Sequence, residues 1–240
     1  MLTYLSTHGA NVRNTTMYSH SDENDFNLAP IIDHTLLKPD ATDYEVLQYC
    51  DDAKRLGFCS IVVNPIHTLR VSKELAGSTV RTATVVGFPF GATSTTIKTL
   101  EAECAVVDGA HEIDFVIDIG ALKSGRFDFI RDEIRSIRRA TAGTTLKVII
   151  EACLLANVEK IAVSDICVET GVDFIKTSTG YSKGGATVED VALLRKRVGA
   201  AIGVKASGGI RTRVAAIAMV KAGASRIGTS VGPALITPPI

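Results

Sequence analysis

The sequence predicts an α/β fold, a single TIM (β/α)8 barrel carrying a polar N-terminal extension, and three observations lead there. From Leu28 onward, eight β-branched runs alternate with helical patterns. The runs are nearly continuously apolar, as parallel strands covered by helices require. The length, 240 residues with 46% hydrophobic against 22% charged, suits one domain with a large core.

The elements follow in order. The run Ile31–Leu37 precedes a helix over Asp43–Leu56, whose start carries the capping-box string Thr42-Asp-Tyr-Glu45. Ser60–Asn64 is followed by a helix over Ile66–Leu75, Arg81–Gly87 by Thr95–Asp108, and Glu112–Ile117 by Arg126–Ala140. Leu146–Ala152 leads to Val158–Thr170, and Phe174–Thr179 to Val188–Val198 with Thr187 as N-cap. Gly203–Ser207 leads to Arg211–Ala222, and Arg226–Thr229 to a short helix near Pro233–Ile236. Strand count favours a closed barrel over an open doubly wound sheet. No linker interrupts the pattern, so residues 28–240 form one barrel domain. Residues 1–27 are polar and read as a flexible or loosely docked extension without the apolar stretch of a secretory signal.

Composition excludes several function classes. Acidic and basic residues balance at 26 each, so nothing points to nucleic acid or a membrane surface as partner. The basic cluster Arg131–Arg139 reads as a solvated helix face. No apolar stretch is long enough for a transmembrane helix. The five cysteines, Cys50, Cys59, Cys104, Cys153 and Cys167, are scattered and odd in number. They read as small buried hydrophobes of a cytoplasmic protein, neither a disulfide framework nor a zinc signature. The histidines show no metal-ligand spacing, and no metal or other cofactor is expected.

Polar residues recur toward the carboxyl ends of the predicted strands, which form the active-site face of a barrel. They are Asp33 and His34, Asn64, Asp114, Lys147 and Glu151, Lys176 and Lys205. Lysine is rarely buried without a partner. A lone strand lysine reads as a rim salt bridge, but Lys176 and Lys205 lie in adjacent predicted strands, which weakens that reading. If their ammonium groups converge, each lowers the pKa of the other, and one becomes a free amine able to attack an aldehyde or ketone. An unperturbed lysine is neutral in only about one molecule in a few thousand at pH 7. Asp114 is the best-placed carboxylate for a proton shuttle. Which lysine is the nucleophile stays open on charge alone.

Glycines follow the last strands: Gly180, Gly184 and Gly185, then Gly208 and Gly209, then Gly228 ahead of Thr229 and Ser230. Glycine lets backbone N–H groups approach a phosphate, and late barrel loops recurrently form such a site. Lys183 or Arg211 adds charge there or is merely solvated. Gly87-Phe-Pro-Phe-Gly91 shapes a pocket through Phe88 or Phe90. His34 either holds a polar substrate group or is structural, and Cys59 is either near the site or plain core.

The chain resembles the deoxyribose-phosphate aldolase family, class I (Schiff-base) aldolases, at Asp33-His-Thr-Leu-Leu-Lys-Pro39, Val86-Gly-Phe-Pro-Phe-Gly91, Glu112-Ile-Asp-Phe-Val-Ile117, Gly120-Ala-Leu-Lys-Ser-Gly125, Leu146-Lys-Val-Ile-Ile-Glu151, Phe174-Ile-Lys-Thr-Ser-Thr-Gly180 and Val204-Lys-Ala-Ser-Gly-Gly-Ile-Arg-Thr212. The strings stand in order and span residues 30 to 230. The resemblance implies a TIM barrel and reversible cleavage of 2-deoxy-D-ribose 5-phosphate to D-glyceraldehyde 3-phosphate and acetaldehyde. It implies Lys176 as the Schiff-base lysine, Lys205 as the lysine that perturbs its pKa, and Asp114 as the aspartate of a proton relay with water. It places Lys147, Thr177, Gly180, Gly208, Gly209, Gly228 and Ser230 around substrate and phosphate, with no metal, and implies a homodimer or homotetramer. Three departures stand out. Asp118 replaces a frequent asparagine, and Val231 replaces a second phosphate-contacting serine. The sequence given ends at Ile240 without the C-terminal tyrosine some members use, which leaves proton transfer to Asp114, Lys205 and water. Two other readings are a class I aldolase for a different aldehyde or sugar phosphate, and a noncatalytic sugar-phosphate-binding barrel, which the intact Lys176, Lys205 and Asp114 argue against.

Overall fold

The structure, a computed structural model, describes residues 26–236; apart from Phe26 and Asn27, the predicted extension lies outside the described residues. Eight parallel strands close into a barrel in the order β1 to β8. They are β1 (Ile32–Leu36), β2 (Ser60–Val63), β3 (Arg81–Val86), β4 (Glu112–Val116), β5 (Thr145–Ile149), β6 (Phe174–Lys176), β7 (Gly203–Ser207) and β8 (Arg226–Thr229). Closure is made by β8 pairing with β1, with Asp33 opposite Gly228.

The helices outside are α1 (Asp43–Leu56), α2 (Thr68–Glu74), α3 (Thr95–Val107), α4 (Ile119–Lys123), α5 (Phe127–Ala140), α6 (Asn157–Glu169), α7 (Val188–Val198), α8 (Arg213–Lys221) and α9 (Gly232–Ile236). The Thr42–Glu45 capping box is formed, and Thr187 accepts from the N–H of Asp190. The predicted strands Leu146–Ala152 and Phe174–Thr179 end earlier, at Ile149 and Lys176, and two helical segments depart from expectation. The helix expected over Ile66–Leu75 begins as a 3-10 turn, Pro65–His67, and the α-helix runs only over Thr68–Glu74. The five-residue α4 lies ahead of α5 and was not expected; Asp118 caps it by accepting from Ala121 N at 2.8 Å. Either aspartate or asparagine serves as such a cap, so the substitution at 118 is accounted for locally.

The main core lies between strands and helices. On α5, Ile130, Ile134 and Ile137 fall at helical spacing and are fully buried, each contributing about 1.5–3 kcal/mol. The opposite face of α5 is charged: Arg131 and Arg135 reach Glu169 on α6, and Arg138 pairs with Asp173. The basic cluster is thus a surface ion-pair network. Inside the barrel, a separate apolar cluster of Leu37, Val62, Ala83 and Val85, with Phe88 against it, fills the side formed by β1, β2 and β3. The other side of the interior is largely charged, with Val116, Ile149 and Phe174 interleaved on the same strand faces. Among the described residues no helix is long and apolar enough to cross a membrane.

Candidate active site

Side chains alternate between the two faces of each strand, so Asp33, Glu112, Asp114, Lys147, Lys176, Lys205 and Arg226 all reach the barrel interior. Register brings them together: Asp114 lies opposite Lys147, and Lys176 opposite Lys205. The Asp114 carboxylate is the hub. Its Oδ1 accepts from Lys147 Nζ at 2.8 Å, and its Oδ2 accepts from both Lys176 Nζ and Lys205 Nζ at 2.7 Å. Lys147 also reaches Glu112 at 2.5 Å, Lys205 also pairs with Asp33, and Arg226 joins Asp33 at 2.7 Å to Glu112 at 3.0 Å. Ser60 donates to Asp33 at 2.7 Å.

Three carboxylates thus face four cationic side chains in a space almost closed to water. Full ionisation leaves these seven buried side chains with one positive charge in excess, and the half-exposed Arg81 also reaches Glu112 at 3.4 Å, so the interior favours loss of a proton. The geometry says which proton is held least. Lys147 and Lys205 each contact more than one carboxylate, whereas Lys176 contacts Asp114 alone. Burial, opposed by Asp114 and reinforced by the Lys205 ammonium, lowers the Lys176 pKa to about 8. Burial pushes Lys147 the same way, but Asp114, Asp33 and Glu112 outweigh it and raise Lys147 well above an ordinary lysine. Burial favours a neutral Asp114, but Lys147, Lys176 and Lys205 overcome it and hold that carboxyl well below the usual range. The result is one reactive amine, at Lys176, beside an ionised Asp114 carboxylate, with Lys147 held charged on its other oxygen.

Lys176 sits on the wall of a cavity at the carboxyl ends of the strands. Gly180, Gly208, Gly209, Gly228 and Ser230 line the same cavity, as do Ser207 and Arg211. Gly208 and Gly209 both adopt left-handed backbone, φ 85° and 79°, and a side chain at Gly185 would strike the Gly208 carbonyl. Ala186 N donates to the carbonyls of Ser207 and Gly208, which welds the β6 and β7 loops together.

Several expected contacts are placed elsewhere. Lys147 is fully buried beneath Asp114 and does not line the cavity. Thr177 is also buried; its hydroxyl donates to Ser207 O at 3.2 Å and accepts from Ser207 N at 3.1 Å, so it ties β6 to β7. His34 points outside the barrel, stacked on Tyr49 with ring centroids 4.1 Å apart, because it follows inward-facing Asp33. Burial lowers its pKa to about 4. Cys59 precedes β2 at the end away from the cavity. Cys50 and Cys167 are buried, but Cys59 and Cys153 are only half-buried and Cys104 is exposed, which corrects the uniform core reading. Phe88 packs against the apolar interior and Tyr181, while Phe90 is exposed. Arg211 lines the cavity and Lys183 does not. Val231 carries no hydroxyl, and its N–H donates to Thr229 Oγ1.

Sequence reasoning missed Glu112 and Arg226 in the charge cluster and left Asp33 without a role. The available signal was the strand alternation: Glu112 shares the face of Asp114, and Arg226 shares that of Gly228. It also missed Tyr49, which lines the cavity and donates to Ser230 O at 3.1 Å.

Comparison with known proteins gives a concordant result. A family model described as DeoC/LacD family aldolase matches residues 28–236. A Brevibacillus brevis protein named deoxyribose-phosphate aldolase is 49% identical over 211 residues, covering 88% of this chain and 96% of the relative. A Clostridium tetani protein of the same name is 50% identical over 202 residues, 84% of this chain and 94% of the relative. Among solved structures, one titled QR15, an aldolase, superposes with TM-score 0.84 at 40% identity, covering 88% of this chain and 94% of that one. The Aeropyrum pernix deoxyribose phosphate aldolase, described as a tetramer, superposes with TM-score 0.80 at 34% identity, covering 87% and 89%.

Proposed function

The chain belongs to the DeoC/LacD aldolase family, and we propose that it cleaves 2-deoxy-D-ribose 5-phosphate reversibly to D-glyceraldehyde 3-phosphate and acetaldehyde, with Lys176 as the Schiff-base nucleophile. The observation that carries the assignment is that Lys176 alone of the three interior lysines lines the cavity and holds a single carboxylate contact. With a pKa of about 8, roughly one molecule in ten presents a free amine at pH 7, several hundred times the fraction of an ordinary lysine.

The steps follow from that amine. Lys176 Nζ attacks C1 of the open-chain sugar, and loss of water leaves an iminium. A base removes the proton of the C3 hydroxyl, the C2–C3 bond breaks, and its electron pair moves into the iminium to give an enamine. Glyceraldehyde 3-phosphate departs. Protonation of the enamine at C2 and hydrolysis of the imine release acetaldehyde and restore Lys176. Asp114, ionised between Lys176 and Lys205, supports the proton transfers through water, and Lys205 adds to burial in lowering the Lys176 pKa, which raises the fraction of free amine. The apolar wall of Leu37, Val62, Ala83 and Val85 supplies low-dielectric surroundings for the two-carbon end. Gly180, Gly208, Gly209, Gly228 and Ser230 hold the phosphate at the rim, with Arg211 adding charge. Lys147 acts from beneath as a permanent counter-charge to Asp114 and not as a substrate contact.

The reading extends to a homodimer or homotetramer, supported by the tetrameric Aeropyrum pernix relative, and to the cytoplasm, supported by five unpaired cysteines. A survey of kcat/KM tests the substrate. 2-Deoxyribose 5-phosphate is expected to exceed plain 2-deoxyribose and other sugar phosphates by at least about 10-fold. A better substrate among the other aldehydes or sugar phosphates assigns the chain a different aldol.

A further inference from the structure

We propose that Glu151, at the carboxyl end of β5, is a positioning residue that fixes the loop after β6 and thereby sets selectivity for phosphorylated over plain sugar. The inference rests on the reading of the cavity as a sugar-phosphate site.

Glu151 is an anomaly on two counts. Its side chain is 2% exposed, yet among the described residues no lysine or arginine pairs with it, in contrast to buried Asp33, Glu112, Asp114 and Glu133. A buried carboxylate without a cation is costly unless its oxygens are fully hydrogen-bonded. It is also, among the described residues, the one non-glycine in left-handed backbone, with φ 51° and ψ 62°. A β-carbon disfavours that conformation, and such strain persists only where the surroundings enforce it.

What enforces it is the β6 loop. The Glu151 carboxylate accepts from Thr179 N at 3.3 and 3.4 Å and from the Thr179 hydroxyl. The same hydroxyl oxygen accepts from Tyr181 N at 3.0 Å. Gly180, which is exposed and lines the cavity, is therefore pinned on both sides through one carboxylate. On the neighbouring residue, Ala152 N donates to Thr177 O at 2.7 Å and completes the clamp. Lys176 itself is held independently by its register with Lys205 and Ile149. Loosening the clamp thus costs the ordering of the phosphate-holding backbone without moving the amine, since recognition by main-chain N–H groups depends on pre-organisation.

The test compares the parent enzyme with E151Q, which keeps the shape, and E151G, which suits the left-handed backbone but removes the carboxylate. Both variants are expected to lower kcat/KM on 2-deoxyribose 5-phosphate about 10-fold, equivalent to about 1.4 kcal/mol, mainly through KM. On plain 2-deoxyribose the change is expected to stay under about 2-fold. Equal losses on both substrates, or no loss on either, overturn the role. Hydrogen exchange on the parent needs no variant: the Thr179 and Tyr181 amides should exchange slowly despite the exposed loop, and fast exchange at both overturns the clamp. A parent with no preference for phosphorylated sugar removes the sugar-phosphate reading and this inference with it. A parent that keeps the preference while E151Q matches it removes the role of Glu151 alone.

Discussion

Lys205→Leu separates the two lysine roles by their effect on pH dependence. Lys176 and Lys205 share one oxygen of Asp114, each at 2.7 Å. That places the two nitrogens at most about 5.4 Å apart, where two unit charges at an effective dielectric near 20 interact by at least about 3 kcal/mol. The interaction corresponds to roughly two pKa units. Burial is the larger cause of the lowered Lys176 pKa, so the variant removes only part of the opposition to protonation, and Asp114 then favours the ammonium more strongly. The acid limb of kcat/KM, which rises with pH as Lys176 loses its proton, should move from about 8 to about 10. At pH 7 the loss is about 100-fold, and most of it should return by pH 10. The assay is the initial rate of 2-deoxyribose 5-phosphate cleavage across pH 6–10, with circular dichroism confirming the fold. An acid limb left in place, or a loss of the same size at every pH, refutes the argument that Lys205 acts on Lys176 through charge.

Asp114→Asn removes the hub but leaves the nucleophile: imine formation with acetaldehyde is expected to persist while steady-state cleavage falls at least about 100-fold, and parallel loss of both counts against a relay role. His34 is buried neutral, with its pKa lowered to about 4 by burial. Its stabilising contribution is therefore complete above pH 6.5 and is lost as pH falls toward 4, because the unfolded chain takes up the proton first. His34→Phe, which preserves the stack on Tyr49, should match the parent at pH 7 in urea melts and exceed it by about 2.5 kcal/mol at pH 4.5; equal stability at both pH values contradicts this. Lys98 and Glu133 form a fully buried pair at 2.8 Å between α3 and α5. Lys98→Met should destabilise by about 3–5 kcal/mol in urea by stranding the carboxylate, with Lys98→Met/Glu133→Leu recovering most of it; a single-variant loss below about 1 kcal/mol sinks that account.

The barrel was legible because its strands are apolar and its turns well marked, and the eight strands appear at or within a few residues of their expected positions. The residues left open, missed or placed differently are those whose role depends on what lies across the barrel. The family resemblance placed Lys147 around the substrate, but its register partner on β6 is Phe174, two residues before Lys176, and it is buried away from the cavity. His34 follows Asp33 directly, and alternation alone could have assigned the two to opposite faces. Glu112 and Arg226 sit at the entry ends of their strands, far from the expected site. They matter through charge balance, which appears only when all strands are closed into one ring. Helix α4 was hidden by its five-residue length, too short for a periodic signal.

The central claim is that Lys176, and neither Lys205 nor Lys147, carries the substrate covalently. Borohydride reduction of the enzyme with acetaldehyde, followed by peptide mass mapping, tests it most directly. A single two-carbon adduct on Lys176, absent from Lys176→Ala, is the expected result. An adduct on Lys205 or Lys147, or none on intact folded enzyme, contradicts it.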